Sequence, residues 1–146
     1  MKRQLLCATL ATLLPLTAHG AQTERHYVPG AGNGPAGANP PFSAAVTAGN
    51  TVYVAGTTDG GVAGATATEA AQRVLDNVRH NVEAAGLSMD DLVWVQVFSS
   101  NLADYAEFNA VYRTYFKGPM PARAYLGVDH LLGGAKFEVM GIAVKR

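Results

Sequence analysis

Two charged residues stand where strands are expected. Arg123 lies beside Ala122, Ala124 and Leu126, and Glu138 lies between Phe137 and Val139. Ionised groups with apolar strand neighbours are costly unless paired or hydrogen-bonded. Three readings are open: each charge sits on a solvated edge, the two form a structural ion pair, or they build a site. A site would have definite chemistry. The planar guanidinium binds a carboxylate through two parallel hydrogen bonds. A nearby glutamate can hold a water and move protons. Together they suit hydrolysis of a small molecule that carries a carboxylate.

Other constellations are missing. His19, His26, His80 and His130 are scattered, with no paired-ligand spacing, so no metal is expected. Gly56, Gly60, Gly61 and Gly64 precede a helix but lack the pattern of a phosphate loop. Ser43, Ser88, Ser99 and Ser100 have no His–acid partner close in sequence. No basic run exists, so nucleic acid is not an expected partner.

The elements that must carry Arg123 and Glu138 can be read in order. Ser43 to Ala48 and Thr51 to Ala55 flank Gly49-Asn50 and predict a hairpin. Gly56 to Gly64 reads as a loop. Thr66 with Glu69 fits a capping box, and Ala71, Val74, Leu75, Val78, Val82 and Ala85 recur at helical spacing until Gly86. The opposite side, with Arg73, Asp76, Arg79, His80 and Glu83, reads as wet. Leu92 to Phe98 predicts a strand apolar on both faces, with Val93, Val95 and Val97 pointing one way. A second helix starts at Asp104, with Tyr105, Phe108, Val111, Tyr112 and Tyr115 as its inner stripe. Ala122 to Val128 and Lys136 to Val144 predict the last strands. The fold class is therefore α+β, a mixed sheet with two helices on one face. The uncovered face implies an oligomer.

The N-terminus reads as a signal peptide over residues 1–20. Lys2 and Arg3 precede the apolar run Leu5 to Leu14, and Ala18 and Gly20 fit a cleavage site before Ala21. The run is too short to span a bilayer, so no stable membrane insertion is expected after cleavage, and the protein is expected to be periplasmic or secreted. Cleavage removes the only cysteine, Cys7. It leaves nine basic side chains against eleven acidic ones, a formal charge of −2. Residues 21–41, rich in Gly and Pro, read as an arm, with a short strand at Arg25 to Val28. Residues 42–146 form the domain.

Several stretches carry a resemblance: Pro41-Phe42-Ser43, Val54-Ala55-Gly56, Gln72 to Val78, Glu83 to Leu87, Asn109 to Tyr112, Pro121 to Ala124 and Glu138 to Val144. Together they resemble the reactive intermediate deaminase family, the Rid or YjgF-like proteins. The resemblance implies a chorismate-mutase-like fold, a homotrimer with sites between subunits, and no metal or organic cofactor. It implies hydrolysis of enamines and imines such as 2-aminoacrylate to 2-oxo acids and ammonia. By position, Arg123 matches the carboxylate-binding arginine and Glu138 the water-positioning glutamate. Tyr125 matches a place where main-chain groups touch substrate, and Gly56 a pocket wall. Phe42 stands where Tyr is frequent, Ala55-Gly56-Thr57 where Ser-Gly-Gln is frequent, and Met140 where a second acid is frequent. These departures imply a more apolar substrate pocket. A non-catalytic binder of small carboxylates is the alternative, and a holdase-type interaction protein a further one.

Overall fold

The structure, a computed structural model, describes residues 23–30 and 40–146. The expected signal peptide and much of the expected arm lie outside the described residues.

The Gly49-Asn50 turn forms as expected. It joins strand β2 (Ser43–Ala48) to strand β3 (Thr51–Thr58), and Gly49 takes a φ of 61°, where a side chain would be strained. Strand β1 (Arg25–Pro29) pairs antiparallel with β2. Strand β3 runs further than the sequence suggested. At a bulge Ala55 and Gly56 oppose Met140 alone, and pairing resumes at Thr57–Val139 and Thr58–Glu138. The expected loop thus begins three residues later, at Asp59.

Helix α1 (Ala67–Ala84) opens on the full capping box. The Thr66 hydroxyl accepts from the Glu69 N–H at 3.2 Å, and Glu69 Oε2 accepts from the Thr66 N–H at 2.8 Å. Ala70, Ala71, Val74, Leu75, Val78 and Val82 are buried along one stripe. Strand β4 (Leu92–Ser99) follows, then helix α2 (Tyr105–Tyr112), strand β5 (Ala122–Gly127) and strand β6 (Phe137–Val144). The sheet order is β1-β2-β3-β6-β4-β5, and among the described residues only β4 and β5 run parallel.

Both helices cover one face. Val52, Val54, Val95, Val97, Phe137, Val139 and Ala143 point into the core beneath them. The other face carries Tyr53, Trp94, Leu126, Met140 and Val144, each at least 37% exposed. Strand β4 corrects one expectation. Its irregular pairing between Leu92 and Trp94 displaces Val93, so Leu92, not Val93, joins Val95 and Val97 in the core. Within one chain the Trp94 side of β4 is uncovered. Arg73 corrects another: it does not simply face water. Its Nε donates to the Asp59 carbonyl at 3.1 Å, and Asn77 Nδ2 donates to the Thr58 carbonyl at 3.0 Å. These bonds tie α1 to the end of β3.

Candidate functional site

The pairing register decides which side chains meet. One row crosses the sheet through Val54, Gly141, Val95 and Arg123, and another through Thr58, Glu138, Phe98 and Leu126. Paired residues share a face, and the face alternates along each strand. Arg123 therefore points to the helix-covered side with Val95. Glu138 points to the open side with Phe98. Their backbones are roughly 14 Å apart, from a rise of about 3.3 Å over three residues and a spacing of about 4.8 Å over two strands. The structural ion pair considered for them does not form within one chain.

Arg123 sits on β5, the last strand of the sheet, against α2. Its Nη2 donates to Asn109 Oδ1 at 2.6 Å. Its Cζ lies 4.6 Å from the Tyr112 ring centroid, 5.7 Å from Tyr125, 5.9 Å from Tyr105 and 6.0 Å from Phe108. Aromatic faces stabilise a guanidinium without neutralising it. Among the described residues no carboxylate lies within salt-bridge distance of Arg123. The guanidinium is thus held in place by neutral groups, with donors to spare.

The rings are themselves fixed. Tyr125 meets Tyr105 edge-on at 4.9 Å and Phe108 at 5.5 Å. Burial pushes the Tyr112 phenol up to about 12, against the opposing pull of the Arg123 charge. Burial likewise raises Tyr125. Tyr105 moves the other way. Hydrogen bonding by the Asn109 side chain, then the Arg123 charge, draw its phenol below the usual range.

Glu138 belongs to a separate half. A Cβ on Gly56 would collide with Glu138 Oε1, so the carboxylate lies directly over the Gly56 backbone. Asp59 fixes the adjoining loop. Its buried carboxylate accepts from Gly61 N–H at 3.0 Å and from the Lys136 and Phe137 N–H groups at 2.7 Å. Glu138 directly follows that clamped segment.

The remaining expected residues divide accordingly. Gly56 and Glu138 are together, and so are Arg123 and Tyr125. Thr57 lies on the covered side opposite Val139. Phe42 precedes β2, four strands from β5, with 53% exposure. Sequence reasoning missed Asn109, and it placed Tyr105 in the core, whereas 48% of Tyr105 is exposed. Their spacing of four residues on one helix was the available signal. Among the described residues no three His, Cys, Asp or Glu side chains gather where they could hold a metal.

Residues 33–145 match the family described as Endoribonuclease L-PSP. A 2-iminobutanoate/2-iminopropanoate deaminase of Dermatophagoides farinae is 38% identical over 110 residues, which are 71% of this chain and 85% of the relative. The crystal structure of the YjgF gene product from E. coli superposes with a TM-score of 0.70 at 35% identity, covering 75% of this chain and 91% of that one. E. coli TdcF with bound serine gives a TM-score of 0.72 at 30% identity, covering 83% and 100%.

Proposed function

The chain belongs to the Endoribonuclease L-PSP family, and we propose that it hydrolyses small imines and enamines bearing a carboxylate to 2-oxo acids and ammonia. The observation that carries this reading is Arg123: a guanidinium braced by four rings and one amide, with no carboxylate partner among the described residues. Such a group is preorganised for an anion supplied from outside. The deaminase name of the Dermatophagoides farinae relative and the serine bound in TdcF agree with a small carboxylate ligand. The nuclease of the family's description fits less well, because basic and acidic side chains balance at eleven each and no basic run exists.

The proposed site is completed by a neighbouring copy. Arg123 of one subunit faces Glu138 of the next in a homotrimer, whose assembly also buries the open face with Trp94 and Met140. Arg123 grips the carboxylate, assisted by main-chain groups at Tyr125. Gly56 and Phe42 form the wall beside Glu138. Water oxygen bonds to the imine carbon as its proton passes to Glu138. Glu138 returns that proton to the nitrogen, which gives the carbinolamine; the proton of its new hydroxyl then passes, again by way of Glu138, to the amine as the C–N bond breaks, leaving a ketone and ammonia. Positioning supplies most of the acceleration, because these imines already react with water.

The leader residues Lys2 to Gly20 support export, with mature protein beginning at Ala21. Mass spectrometry of protein recovered outside the cytoplasm tests this: a mass that still includes Met1 to Gly20 rejects it. For the activity, ammonia release from an enzymatically generated 2-imino acid is measured with wild type and Arg123→Ala. Loss of the rate enhancement in the variant is expected. Equal rates reject the assignment, and saturable binding of a 2-oxo acid without turnover replaces it with a carboxylate-binding protein.

A further inference from the structure

We propose that the Tyr105 hydroxyl is a second ligand-binding group, donating a hydrogen bond to the carboxylate that Arg123 holds. The inference rests on the Arg123 reading above and adds a residue to it.

Asn109 is 8% exposed. A guanidinium has no acceptor, so Asn109 must turn its carbonyl to Arg123, which leaves its NH₂ for other partners. Tyr105 stands one helical turn before Asn109 and is edge-stacked on Tyr125, so its ring cannot swing freely. Both Asn109 and Arg123 favour the ionised phenol, which only hydrogen-bond donors and positive charge can do. Arg123 Cζ also lies 5.9 Å from the Tyr105 ring centroid, so the guanidinium borders the phenol. Its own proton is left unclaimed, on a residue 48% exposed at the rim of the niche. An O–H on a ring held edge-on by Tyr125 and bordering a guanidinium forms, with the free guanidine N–H groups, a two-residue clamp for a carboxylate. Arg123 supplies the charge and its planar fork, and Tyr105 one further hydrogen bond.

The clamp fixes the sign of a pH effect. The groups facing Tyr105 are Arg123 and Tyr125 from β5, Arg113 at the end of α2, and Asn109 within it. Ionising the phenol removes the donor and sets a negative charge against the ligand. Binding then falls as pH rises through a value below the ordinary phenol range. Tyr112, pushed up to about 12, ionises later.

The test is calorimetric titration of the intact protein with 2-oxobutanoate between pH 7 and pH 10, for wild type, Tyr105→Phe and Arg123→Ala, with circular dichroism melts as the check on folding. Tyr105→Phe is expected to bind about 10-fold more weakly at pH 7, the size of one hydrogen bond to a charged group, and to lose the alkaline fall. A purely structural role would leave the shape of the pH profile unchanged. Wild-type affinity and profile in Tyr105→Phe, with binding abolished in Arg123→Ala, would overturn this inference and leave the Arg123 site standing. Undiminished binding in Arg123→Ala would remove the site and the clamp together.

Discussion

At the scale of single residues, the proposed activity turns on how Arg123 is held. Four rings and Asn109 fix the guanidinium without spending its charge. Arg123→Ala should lower kcat/KM for an imino acid by about 100-fold, as expected when one member of a charged pair is removed. Asn109→Ala should act mainly on KM, raising it about 10-fold, because the cation remains but wanders. Steady-state kinetics of both variants separate the two effects. Arg123 and Glu138 were legible in the sequence because a charge inside an apolar strand is conspicuous. Asn109 was not, since one amide beside an apolar helical stripe looks like an ordinary surface residue. Tyr105 was misread for the same reason: helical spacing marks a face but does not say where the sheet beneath it ends.

At the scale of elements, the β3 bulge and the loop after it place Glu138. Gly56 has no positive φ, so its glycine is required by space rather than by backbone conformation. The group in its way is the mobile end of Glu138. Gly56→Ala should therefore leave the melting temperature unchanged or raised while moving the carboxylate and cutting kcat at least 10-fold. A melting curve paired with kinetics checks this. Asp59 has the opposite character. Its carboxylate satisfies three backbone N–H groups in a buried position. Asp59→Ala should cost about 3 kcal/mol in denaturant unfolding. The hairpin at Gly49, the capping box at Thr66 and the stop at Gly86 were plain in the sequence because each rests on local chemistry. The bulges at Ala55-Gly56 and near Val93 were not, because a bulge is set by pairing with a distant strand. One extra residue there reverses which side chains are buried.

At the scale of the whole molecule, Arg123 and Glu138 lie on opposite faces of one sheet, and the same sheet leaves apolar residues uncovered. A second and third copy would resolve both features. Trp94→Glu should convert the proposed trimer to monomers without activity, a change read by light scattering on a sizing column. The mixed sheet with one bare face was legible from two helices and six strands. The separation of Arg123 from Glu138 was not, because register across β4 depends on contacts among three strands. Alkaline stability belongs to this scale too. Tyr112 is pushed up to about 12 by burial, against an ordinary 10.0. Between these values the folded state keeps a proton that the unfolded state loses, so stability falls as pH rises above 10.0. Urea unfolding at pH 9 and pH 11 should show the fall, and Tyr112→Phe should reduce it.

Complementation between two inactive variants tests the shared site most directly. Arg123→Ala and Glu138→Gln are mixed in equal amounts, unfolded and refolded together, and ammonia release is measured. If each site draws Arg123 and Glu138 from different subunits, random assembly of a cyclic oligomer rebuilds about one quarter of the wild-type sites. Activity near that level is the expected result. A refolded mixture no more active than either variant alone would contradict the account.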